Sequence, residues 1–102
     1  MVLLEFSLFP VGKDEHLSPY VARSLEIIEK SGLPYQLTAM GTMIEGEWDQ
    51  VMDVVKKCYL RMQEDTNRVY GAIKIDARKG VAGQLKAKVS SVEQKVGHKL
   101  HT

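Results

Sequence analysis

Few side chains in this sequence have the type and spacing that chemistry requires. His98 and His101 are three apart, a spacing that can bring two imidazoles to one metal, but they fall in a polar tail and read as solvated side chains. His16 is a lone histidine in a charged stretch, Lys13 to His16. Gly12-Lys13 lacks the upstream glycine and the following hydroxyl residue of a phosphate-cradling loop. Gly80-Val81-Ala82-Gly83 precedes a helical pattern and can offer N–H groups to an anion, although such loops usually serve only as connections. Cys58 lies on an apolar helical stripe and reads as core. No Ser-His-Asp or Cys-His set and no metal-ligand set emerges, so neither a catalytic group nor a cofactor is expected. What remains suits binding: Ser7, Thr42, Glu45, Asp49, Asp76 and Arg78 fall at or near strand ends, and Tyr35 and Trp48 can stack on a flat ring. For each polar group the ordinary alternative is a cap, a turn bond or a surface ion pair. Trp48 also fits the apolar stripe of a helix.

The elements that hold these residues follow from periodicity. Val2, Leu4, Phe6 and Leu8 alternate in a first strand, residues 2–9, with Leu3, Glu5, Ser7 and Phe9 on its other face. Ser18 before Pro19 reads as a helix start, with Ser18 as N-cap, and Val21, Leu25 and Ile28 continue at helical spacing beside small Ala22 and Ser24. Gly32 and Pro34 stop that helix near Ser31. A second strand is expected over residues 35–39 and a third over 42–45, joined at Met40-Gly41, where Gly41 permits a positive φ. Gly46 then releases the chain into a helix striped by Trp48, Val51, Met52, Val55, Cys58, Tyr59 and Met62, with Glu47 and Asp49 at its positive end. Arg68 to Ala77 is a fourth strand, and Leu85, Val89, Val92 and Val96 mark a last helix.

The order β-α-β-β-α-β plus a helix predicts an α+β ferredoxin-like sandwich with strand order 4-1-3-2 and residues 1–102 as one domain. The sheet face away from the two main helices carries Leu3, Ser7, Phe9, Tyr70, Ala72 and Lys74, so another subunit or the last helix is expected to cover part of it. Met1 and residues 97–102 are expected to fray. A chain of 102 residues with 44% hydrophobic and 26% charged residues can build one core. Its net charge of +1 favours neither nucleic acid nor an acidic membrane surface. One cysteine excludes an internal disulfide and suits the cytoplasm, and no stretch reads as a signal peptide or membrane span. Spacing alone therefore leaves a domain that binds something small or binds itself.

Several segments carry a resemblance. Ser31-Gly32-Leu33-Pro34-Tyr35, the run Met40-Gly41-Thr42-Met43-Ile44-Glu45-Gly46-Glu47, Arg68-Val69 and Ile75-Asp76-Ala77-Arg78 resemble the thiamine-binding, YkoF-like family of small proteins. The resemblance runs from Glu5-Phe6-Ser7-Leu8-Phe9-Pro10 to Lys88-Val89-Ser90-Ser91-Val92, almost the whole chain. It implies a ferredoxin-like fold, assembly into homodimers or homotetramers, and non-catalytic binding of thiamine or its hydroxymethylpyrimidine part by a carrier or sensor. On that basis Ser7, Thr42 and Glu45 are expected to answer the donors and acceptors of an aminopyrimidine. Glu45, Asp49 and Tyr35 are expected to favour a thiazolium cation. The alternative is an oligomeric regulatory or scaffold module whose small ligand, an anion for example, tunes assembly.

Overall fold

In the computed structural model, which describes residues 1–13 and 15–102, the alternating residues of the first strand anchor the molecule. Asp14 of the charged Lys13–His16 stretch lies outside the described residues. Strand β1 (Val2–Pro10) buries Val2, Leu4 and Phe6, the even positions that alternation assigns to the core. Helix α1 (Ser18–Ser31), strands β2 (Tyr35–Leu37) and β3 (Thr42–Gly46), helix α2 (Trp48–Gln63), strand β4 (Val69–Ala77) and helix α3 (Gln84–Val96) follow. The antiparallel sheet has the order β2-β3-β1-β4, as the ferredoxin-like reading expects. Leu4, Ile28, Ile44, Val51 and Cys58 are fully buried, so the core lies between the even face of β1 and the helices α1 and α2. Burial pushes the Cys58 thiol up to about 11, opposed by a weaker hydrogen bond with Ser24, and keeps it neutral.

Local details depart from expectation where tertiary contacts override propensity. Ser18 is the first helical residue and not the cap. Leu17 holds that place, and its carbonyl accepts the N–H groups of Tyr20 and Val21 at 3.0 and 3.1 Å. Gly32 does close α1 in the left-handed region at φ 75°. Gly41 needs no positive φ; what favours glycine there is space, since a Cβ would stand a tight 3.1 Å from the Phe6 carbonyl oxygen. Trp48 and Tyr59 leave the stripe half exposed, at 52% and 40%, while Val54 enters the core in their stead. Helix α2 packs chiefly on β1 and only marginally on β4. Ile73 and Ile75, opposite Phe6 and Leu4 on the helix side, therefore remain 50% and 43% exposed. Both ends of the chain make contacts: the Met1 amino group donates to the carbonyls of Arg78 and Val81, and Leu100 N–H donates to Glu93.

Helix α3 covers part of the second sheet face, as expected. Its N-terminus sits over the row Glu45–Leu3–Asp76, three residues that are cross-strand neighbours. Tyr70 stays 58% exposed further along that face, its ring tilted against Phe9 at a centroid distance of 5.5 Å. On the helix side Gly71 lies opposite Leu8, and a Cβ at Gly71 would run into the backbone oxygen of Ser7 and the side chain of Leu8. A backbone oxygen fixed in a ladder cannot give way. Gly71→Ala is therefore expected to cost about 1–3 kcal/mol by overpacking, read from urea denaturation monitored at Trp48. An unchanged midpoint would contradict this close approach.

Candidate functional site

Strand length creates the site. β4 pairs with β1 from Val2 through Pro10, but β3 pairs only from Val2 through Phe6, because its first residue, Thr42, stands opposite Phe6. Beyond that point the β2–β3 turn, Thr38 to Gly41, bends away and a gap opens beside Leu8. The turn is closed by Thr38, whose N–H and hydroxyl both donate to the Gly41 carbonyl at 2.8 Å. Helix α1 roofs the gap with Val21, Ser24, Leu25 and Ile28. The small Ser24 at a buried helical position leaves room that a larger side chain would fill.

The result is a cavity of about 350 Å³ bounded by β1, α1 and the β2–β3 turn. That volume suits a small ring compound. Every residue lining it is uncharged, and the lining is mostly apolar. Thr42, only 5% exposed, lines its floor, and two further hydroxyl residues, Thr38 and Ser24, line its wall, the Thr38 hydroxyl being engaged by the Gly41 carbonyl. The other sizeable depressions are more open. One is polar and lies between Val11–Lys13 and Gln63–Arg68; another lies between Met1, Glu47 and Lys79–Ala82. Among the described residues no cluster of three or more His, Cys, Asp or Glu side chains is placed to hold a metal.

Of the expected site residues, Ser7 and Thr42 border this cavity. They do so from different directions, because Thr42 pairs with core-facing Phe6 while Ser7 alternates to the opposite sheet face. Tyr35 lies on β2, 40% exposed and outside the cavity lining. Asp49 opens α2 beyond the far end of β3 from Thr42 and is exposed. Glu45 is 4% exposed and committed elsewhere: its carboxylate accepts the N–H of Gln84 at 2.9 Å and of Leu85 at 3.3 Å. Thus the anion at the Gly80–Gly83 helix start is one of the chain's own carboxylates. Asp76, beside it across Leu3, pairs with Lys88 of α3, and that hydrogen bond holds the Asp76 carboxyl below its usual value. Carboxylates expected to meet a thiazolium are therefore not gathered around one pocket. The sequence reading missed Leu8, Val21 and Leu25 as cavity residues; the one signal it held was the small Ser24 on the buried side of α1.

Fold and cavity together define a class: a small ferredoxin-like sandwich with a single-ring-sized, uncharged pocket under its first helix. The chain belongs to the thiamine-binding protein family, whose sequence profile matches residues 4–93. It is 32% identical to the UPF0045 protein MJ1052 of Methanocaldococcus jannaschii, over 89% of this chain and 91% of that protein. It is 38% identical to the UPF0045 protein Mb1933 of Mycobacterium bovis, over 91% of this chain and 92% of that protein. The crystal structure of MJ1052 superposes with a TM-score of 0.83 at 31% identity, covering 91% of this chain and 96% of the other. A Thermotoga maritima structure, assigned provisionally to thiamine biosynthesis or salvage, gives 0.76 at 26% identity, covering 89% and 97%. Among the described residues no helix is long and apolar enough to cross a membrane.

Glu45→Ala removes the acceptor of two α3 N–H groups and is expected to cost about 1–3 kcal/mol, the range for stranding buried donors. The checking measurement is hydrogen exchange by mass spectrometry. Faster exchange confined to residues 84–96, with the sheet unchanged, is expected; unaltered exchange in α3 would contradict the capping role.

Proposed function

We propose that this chain is a non-catalytic cytoplasmic protein that binds thiamine or its hydroxymethylpyrimidine part, as a carrier or sensor. The observation that carries the reading is the uncharged cavity of about 350 Å³ with the nearly buried residue Thr42 on its floor. Membership of the thiamine-binding family and the likeness to the Thermotoga maritima structure support it.

Electrostatics selects which end of thiamine enters. An unpaired ion taken into a site without a counter-charge costs several kcal/mol even after relaxation. A neutral aminopyrimidine costs only what its hydrogen bonds fail to recover, about 1–3 kcal/mol per stranded group. The pyrimidine end therefore goes in, and the thiazolium with any phosphate stays at the mouth, near the exposed Met40 and Leu37. Ser7 borders the cavity from the strand. Glu45 and Asp49 serve the ligand only indirectly, through the elements they cap.

Self-association belongs to the same proposal. β4 is an edge strand exposed along most of its length, carrying Tyr70 on one face and Ile73 and Ile75 on the other, and α3 exposes half of Val92 and Val96. Such a surface favours a second copy, giving a dimer or a tetramer.

Isothermal titration with hydroxymethylpyrimidine, thiamine and thiamine diphosphate tests the reading, with light scattering on the same samples. Saturable heat near one site per chain is expected for the first two, weaker binding for the diphosphate, and a mass above that of one chain. Thr42→Val, which keeps shape and removes the hydroxyl, is expected to weaken binding about tenfold, the worth of one good hydrogen bond, with the fold intact. Flat titrations from folded protein would sink the thiamine reading. They would leave the regulatory or scaffold module as the better description of the exposed β4 edge.

A further inference from the structure

An apolar cavity with a few hydroxyls does not by itself distinguish one flat ring from another, so the direction of the backbone in β1 matters. In an antiparallel ladder the N–H and C=O of one residue point to the same neighbour, and successive residues alternate between neighbours. Val11 N–H donates to the Arg68 carbonyl at 2.8 Å, and Arg78 N–H donates to the Met1 carbonyl at 3.3 Å. Both pairs continue the β1–β4 register, so odd positions of β1 turn their peptide groups toward β4. Even positions turn theirs toward β3. The close approach of Gly41 to the Phe6 carbonyl oxygen, 3.1 Å from where a Cβ would stand, agrees with this assignment.

The next even residue after Phe6 is Leu8. Extending the register places Met40 opposite it, but Met40 belongs to the turn and directs its N–H to the Thr38 hydroxyl at 3.4 Å. Leu8 lines the cavity, and β4 lies on its other side. Its N–H and C=O are therefore turned to the β3 side, where the gap opens, as an open piece of sheet edge in a mostly apolar wall. Pro10, the following even residue, has no N–H to offer, so the edge consists of one donor and two carbonyl acceptors.

The geometry points to Leu8 as the recognition edge. Its N–H donates to a ring nitrogen and its C=O accepts from an adjacent exocyclic amine, so a neutral planar heterocycle with neighbouring acceptor and donor takes the place of the missing strand partner. This is strand addition reduced to a single ring, with affinity drawn from main-chain bonds. The class includes 4-aminopyrimidines. It excludes rings that lack either the acceptor or the adjacent amine, because each stranded Leu8 group then loses water without replacement. The inference rests on the cavity being the ligand site.

Amide-resolved NMR on the isotope-labelled chain tests it with two probes. One is 4-amino-5-hydroxymethyl-2-methylpyrimidine; the other is the same ring with the amine replaced by methyl. The aminopyrimidine is expected to bind saturably and to slow Leu8 amide exchange at least tenfold. The methyl analogue is expected to bind at least tenfold more weakly. Leu8→Pro, which removes the N–H at a position like that of Pro10, is expected to lower aminopyrimidine affinity at least tenfold. Saturable binding with Leu8 exchange unaltered would overturn this inference and leave the ligand reading standing. Absence of saturable binding by the aminopyrimidine would overturn both.

Discussion

The unequal pairing of β1 is the constraint on which the rest depends. One side of the strand is laddered from Val2 to Pro10 by β4; the other is laddered only to Phe6 by β3. The long ladder keeps the end of β1 straight and rigid although half of its peptide groups there have no strand beside them. Without β4, the segment Ser7–Pro10 would be a loop free to collapse into the gap. With it, the gap persists as a cavity, and α1 closes the top because Ile28 anchors the helix in the core while Ser24 stays small. Gly71, opposite Leu8, permits the close packing that holds this half of the strand in place.

Charge is placed by a division of labour between the two faces of the sheet. The helix side is built from Leu4, Phe6, Ile44 and the stripes of α1 and α2, and its cavity carries hydroxyls but no ions. The other side carries Glu45 and Asp76, and both are consumed in holding α3, one by capping and one by pairing with Lys88. The capping bond matters more, because Glu45 is buried and the Asp76–Lys88 pair is exposed and screened. An ion entering a pocket so lined would meet no counter-charge.

The fold was legible because it is written in local pattern. Period two over residues 2–9, the Gly32 stop, the buried stripe of Val51, Val55, Cys58 and Met62 and the glycine-rich break before Leu85 all survive in the structure. The site was legible only in part. Thr42 could be found, since a hydroxyl residue between two tight backbone events invites attention. The role of Glu45 could not, because its partners Gln84 and Leu85 lie about 40 residues away and meet it only through docking of α3. Trp48 misled because periodicity states which residues share a helix face and not how far the sheet extends beneath that face. Leu8 left no chemical signal at all: what distinguishes it is main-chain direction beyond the start of β3.

On the proposed function, a ligand of this chain sits beside Leu8 and Thr42 beneath α1. The most direct measurement is a crystal structure of the protein grown with hydroxymethylpyrimidine. Ring density in the gap between Leu8, Thr42 and Ser24, with α3 still docked on Glu45, is the predicted result. Ring density at the exposed β4 edge, or against Asp49 and Trp48 at the start of α2, with the cavity beneath α1 holding none, would contradict it.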